Sequence, residues 1–221
     1  MIREILIVGL ISAVVLVATA LIDDRRAETD RAIASQQNAK AERLENLRFV
    51  RERSNPDPAT ARPFNNLDLV GQNLAGLTMT NADLQMALLR GAMLTNVDLV
   101  NANLRWAVLN SASLSSANLT GANLTGAYLR YATLHSTFLG RANLAYANLE
   151  RANLTGANLT DANLERANLT GANLNAADLT RADLSSANLS SATLTGVCWS
   201  SDTKWPSNVS PPPPRPTQCL R

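Results

Sequence analysis

From Leu69 to Leu194 every fifth residue is leucine, with Met79 the one exception. Two positions before each leucine stands a small residue, alanine from Ala82 to Ala192 except at Val97 and Thr137. The position between them is mostly Asn or Asp, and the two that follow are rich in Thr, Ser and Gly. This period excludes both common readings. On an α-helix five residues turn about 500°, so the leucines would wind around all sides. On a straight strand the period is two, so an odd spacing would send alternate leucines to opposite faces. The chain must therefore bend once per repeat. Ala and Leu, two apart, point inward along a short extended edge, and the residue between them points outward. The last two positions make the bend, as their composition suits. A bend of about 90° closes a square after four repeats, and Ala beside Leu fits a narrow interior.

The hydropathy pattern before the repeat is different. Ile5 to Ile22 is an 18-residue stretch without a charge, long enough for a transmembrane helix. A cleaved signal peptide is the alternative, since Ala18-Thr19-Ala20 has the small-x-small form. The offset of Arg3 by Glu4 and the length of the run favour an anchor. Arg25, Arg26, Arg31 and Lys40 follow it, which predicts a cytoplasmic repeat domain on a single-pass membrane protein; a secreted or extracytoplasmic domain is the alternative. Residues 23–53 contain neither Gly nor Pro and read as a solvated stalk helix, its large apolar residues sparse until Leu44, Leu47, Phe49 and Val50. Three prolines then break it within residues 54–63. The expected organisation is an anchor at 1–22, a stalk at 23–53, a linker at 54–65, the repeat at 66–197, and a cap with a Pro-rich tail at 198–221.

The A-(N/D)-L-x-x unit, as in Ala117-Asn118-Leu119-Thr120-Gly121 and Ala177-Asp178-Leu179-Thr180-Arg181, resembles the pentapeptide-repeat family. The likeness covers residues 67 to about 197. It implies an all-β solenoid, a right-handed quadrilateral β-helix with four repeats per coil, here preceded by the transmembrane and stalk helices. Leu67, Gln72 and Leu77 depart from the alanine pattern, as a first coil adapted to meet the stalk and Phe64 would.

Composition narrows the chemistry. Aromatics are only 4% of the chain and the net charge is +2. No Gly-rich phosphate loop, HExxH, G-x-S-x-G or paired-carboxylate signature occurs, and no zinc-ligand set. The expectation is a non-enzyme without cofactor, metal or small-molecule substrate. His135, after Leu134, reads as a surface histidine. Cys198 and Cys219 are a candidate disulfide, which would need an oxidising compartment. Some family members resemble B-form DNA and protect DNA gyrase. Such mimicry needs an acidic surface, whereas residues 66–197 hold eight acids and seven arginines. Nucleic acid is not an expected partner.

Residues 20 apart should stack. Arg130 then meets Glu150; Arg141, Asp161 and Arg181 alternate; Tyr131 underlies Arg151 and Tyr146 underlies Arg166. Trp199, in the next leucine position, and Trp205 should lid the last coil. The four prolines at 211–214 read as a short spacer. Two columns stand apart. Met86, Trp106 and Tyr146 share a corner; Leu88, Val108 and Tyr128 share the adjoining face. Edged by Arg90, Arg105 and Arg130, they form an expected apolar contact patch. Its occupant is the stalk end Leu44–Val50 folded back, a second copy, or an unidentified protein. The function expected is a membrane-tethered, non-catalytic scaffold or protein-interaction module.

Overall fold

The computed structural model describes residues 2–54 and 63–213. They fall into two compact units, Met1–Leu44 and Glu45–Arg221. The first lies wholly on the helix α1, Ile2–Arg53. No proline or cap interrupts the chain between Ile22 and Asp23, so the helix runs through that point without a break. Along the described part Val17, Leu21, Ile22 and Ile33 are exposed.

In the second unit the chain turns at every fifth residue. The carbonyl of each core residue accepts from the N–H three residues on, as in Ala87 N to Leu84 O at 3.1 Å. The third turn residue has positive φ at every fifth position from Asn66 to Gly196. These are turns of the type II kind. Four turns close one coil, and each outward residue pairs in parallel with the residue 20 ahead, from Asp68↔Leu88 to Asp178↔Cys198. Inside, the leucines and alanines are shielded from water, Leu144 completely. Each buried leucine contributes about 2 kcal/mol.

Five backbone N–H groups per repeat must find acceptors. Four do so through the backbone. Taking the repeat of Leu104, Leu104 N reaches Asn123 O, Trp106 N reaches Thr125 O, Ala107 N reaches Leu104 O and Asn103 N reaches Ala82 O, all at 2.7–3.1 Å. The fifth, on the second turn residue, has no backbone partner in this scheme. The outward Asn or Asp takes it: Ala145 N donates to Asn143 Oδ1 at 3.0 Å and Thr160 N to Asn158 Oδ1 at 3.0 Å. That is why the outward position is Asn or Asp rather than any polar residue.

The two ends are closed differently. At the start, Leu47 and Val50 of α1 are buried with Phe64, and Phe49 stands edge-on to Phe64 at 5.9 Å. Asn46 Nδ2 and Arg51 Nη2 donate to the carbonyls of Asp68 and Asn73, each at 3.1 Å, in the first coil, which has no coil beneath it. At the far end Trp199 and Trp205 meet edge-to-face at 6.0 Å against the core. Trp199 Nε1 donates to Pro212 O at 3.1 Å.

Three expectations are corrected. The solenoid is not all-β: among the described residues no extended strand forms, only isolated bridges. A corner every five residues leaves just three extended residues between turns, enough for one bridge. Nor are there two helices before it, but the single α1. Finally, among the described residues no helix is long and apolar enough to cross a membrane. The span expected at Ile5–Ile22 lies mostly on side chains outside the described residues, and from Asp23 to Arg31 the helix carries seven charges in nine residues.

Two substitutions test this account. Leu144→Asp places a carboxylate in the sealed interior and should abolish cooperative thermal unfolding; a fully folded variant by circular dichroism contradicts the core. Asn143→Ala strips the acceptor from Ala145 N–H and should cost about 1–3 kcal/mol in denaturant unfolding.

Candidate functional site

The bridges Leu88↔Val108, Val108↔Tyr128 and Tyr128↔Asn148 place these outward residues in one column. The corner column Met86, Trp106, Gly126 and Tyr146 runs beside it, each residue at φ between 58° and 66°. Left-handed backbone in a non-glycine residue costs about 1–2 kcal/mol. Met86, Trp106 and Tyr146 nevertheless occupy such corners, and they are 51%, 45% and 52% exposed. Leu88 and Tyr128 are 40% and 44% exposed, while Val108 between them is half-buried. All six expected patch residues are therefore neighbours on one side of the coil. The end of α1 does not cover them, since Leu47 and Val50 are spent on the first coil. Gly126 makes room for the indole: a Cβ there would lie 2.3 Å from Cζ3 of Trp106.

Leu88, Val108 and Tyr128 replace the Asn or Asp that serves the corner N–H. Leu88 and Val108 carry no acceptor at all. In the Tyr128 repeat the loss is made good from the coil below, Arg130 N donating to Asn110 Oδ1 at 3.0 Å.

The charged columns stack as expected. Arg130 Nη2 reaches Glu150 Oε1 at 2.9 Å, while its Nε is buried without a partner. Arg181 clasps Asp161 with two bonds of 2.6 and 2.7 Å. Arg151 lies over Tyr131, 5.8 Å from the ring centre, and donates to its hydroxyl at 3.1 Å; Arg166 pairs with Tyr146 in the same way, its guanidinium 5.4 Å from the ring centre. The Arg181 hydrogen bonds pull the Asp161 carboxyl below its usual range, against partial desolvation and with help from the Arg181 and Arg141 charges. Burial pushes the Asp183 carboxyl up, but hydrogen bonds from Lys204 and Ser185 outweigh it and the net shift is down. His135 is exposed, its Nε2 3.2 Å from Ser136 Oγ. Cys198 is disulfide-bonded; Cys219 lies outside the described residues.

One feature escaped the reading of the sequence. Phe138, Gly140 and Arg141, with Thr120, Asn158, Thr160, Asp161 and Arg181, line a shallow groove of about 280 Å³. Its signal was present. Thr137-Phe138-Leu139-Gly140-Arg141 departs from the consensus at both the alanine and the Asn/Asp positions. Thr137 is buried and donates to Leu114 O at 2.8 Å.

A four-cornered coil of five-residue turns, with leucine inside and Asn or Asp outward on its faces, defines a class. Pentapeptide repeats, in eight copies, match residues 73–110, 87–126, 107–144, 122–161 and 162–198. This chain belongs to the pentapeptide-repeat family. It is 34% identical to HetL, a pentapeptide-repeat protein involved in heterocyst differentiation regulation from the cyanobacterium Nostoc sp. strain PCC 7120, over 63% of this chain and 73% of that one, with a TM-score of 0.48. It is 44% identical to Rfr23 from the cyanobacterium Cyanothece 51142, over 42% and 63% of the two chains, at a TM-score of 0.42. QnrB1, a plasmid-mediated fluoroquinolone resistance protein, is 21% identical over 62% and 79%, at 0.39. No curated protein matches it significantly.

Two outcomes are expected. Gly126→Ala is strained at φ +66 and drives its methyl into the indole. The thermal midpoint should fall, the loss being about 1–2 kcal/mol, and one of the three indole N–H resonances should move. Because the Asp161 and Asp183 carboxyls are lowered, their contribution is present above the ordinary carboxylate value near about 4 and is lost as pH falls through the folded value. Thermal stability should be flat from about pH 5 to 8 and decline below about 4, less steeply in Asp161→Asn.

Proposed function

We propose that this chain is a non-catalytic protein-interaction module that makes contact through the face carrying Met86, Leu88, Trp106, Val108, Tyr128 and Tyr146. One observation carries the reading. Three successive residues of one outward column give up the side chain that the fold uses to satisfy its corners, and hold apolar residues at least partly open to water instead. Local rules broken together on a surface mark a working site rather than a structural one. The corner column adds to this, since Trp106 and Tyr146 take left-handed backbone that Gly or Asn would adopt at less cost. An apolar patch bordered by Arg90, Arg105 and Arg130 suits a protein contact.

A photo-crosslinking residue at position 108, in the full chain in its own cells, should give protein adducts. The same probe at position 155, on the Ser- and Thr-rich side, should not. Trp106→Ser with Tyr128→Asn should leave the coil folded, since neither side chain points inward, and should abolish the adducts. Equal adducts from both positions, or adducts indifferent to the double substitution, contradict the proposal. Protection of DNA gyrase by the same chain in a supercoiling assay would replace it with the DNA-mimic alternative.

A further inference from the structure

We propose that the partner on this face is a second copy of the same chain, packed face to face with the two coils antiparallel. The inference rests on the face being a contact surface and adds its occupant and register.

Two coils lying parallel or antiparallel can face each other about a two-fold axis in two ways. If the axis runs along the coil, the columns on either side of Leu88 exchange within each coil. Met86 would then face Arg90, and Tyr146 would face Glu150, so apolar and aromatic groups would be desolvated against charges. If the axis lies across the coil, each column meets itself in reverse order. Three placements of that axis overlap the patch. Centred on the Val108 coil, it sets Arg90 against Arg130; centred on the Tyr128 coil, it sets Arg130 against its own copy. Centred midway between them, it pairs Arg90 with Glu150, Met86 with Tyr146, Val108 with Tyr128 and Trp106 with Gly126.

Only the midway register sets an arginine against a carboxylate, Arg90 against Glu150. Arg90 is exposed, and Arg130 already holds one oxygen of Glu150, leaving the second for the incoming guanidinium. The Trp106 ring lies across Gly126, one coil ahead. It therefore covers the level of the axis itself, where two indoles would meet ring to ring, a favourable aromatic geometry. At the corners Met86 meets Tyr146, and along the face Val108 meets Tyr128 while Leu88 meets Asn148. A surface whose own reversal returns complementary partners is the requirement of an isologous dimer.

The 221-residue chain has a mass of 23.7 kDa. Light scattering at rising concentration should show twice that mass. Arg90→Glu and Glu150→Lys should each weaken self-association by about tenfold or more. An equimolar mixture of the two variants should recover it to within about threefold, because both unlike pairs are restored across the interface. Recovery on mixing supports the register. A dimer that ignores both substitutions, or a mixture no tighter than its components, overturns it. A wild-type monomer at about 100 μM also overturns it. In that case adducts from position 108 that are lost on Trp106→Ser with Tyr128→Asn leave the contact face standing with another partner, and adducts that persist remove both readings.

Discussion

The fold depends on one backbone amide per repeat. A chain that turns a corner every five residues can satisfy four of its five N–H groups through neighbouring coils and its own turn. The fifth, at the second turn residue, is left over. An outward Asn or Asp whose side-chain oxygen folds forward by two residues resolves it locally. The leucine core supplies the driving force, and this small hydrogen bond sets the period at which the core can be built.

Much of this was legible beforehand. A period of five can be neither helix nor strand, so the inward Leu and Ala and the 20-residue columns followed from counting. So did the pairs Arg130–Glu150, Arg151–Tyr131 and Arg166–Tyr146. Other features were not. The identity of the Asn and Asp positions was read as polarity, although only an acceptor at that spacing serves Ala145 or Thr160. Strands were expected, because a three-residue edge looks like the centre of one until the corners are drawn. Two helices were expected where one runs, because a change in hydropathy at Asp23 does not by itself break hydrogen bonding. The apolar end of α1 was offered to the outer face, but Leu47 and Val50 serve the open first coil, where Asn46 and Arg51 also satisfy carbonyls. That need arises only once the chain is coiled.

The apolar face was legible for a different reason. A repeat defines at each position what the fold requires, so any departure is visible. The neighbouring column departs too, at Met93, Ser113 and Thr133, but Leu88, Val108 and Tyr128 stand out because all three are apolar or aromatic. The Phe138 groove was announced in the same way, by two departures within one repeat, but without a succession along a column it did not stand out. Departures that persist from coil to coil form a surface; an isolated departure forms a dent.

The stacking interval has a consequence for how such a molecule can change its length. The interior repeats every five residues, so adding or deleting one unit would leave the hydrophobic column intact. The exterior repeats every twenty. A single added unit would rotate everything beyond it by a quarter turn, setting Glu150 beside a different column from Arg130 and splitting the apolar face between two sides. A lineage of such proteins can therefore drift in steps of one unit while only folding is selected. Once a surface is in use, it can lengthen only by whole coils.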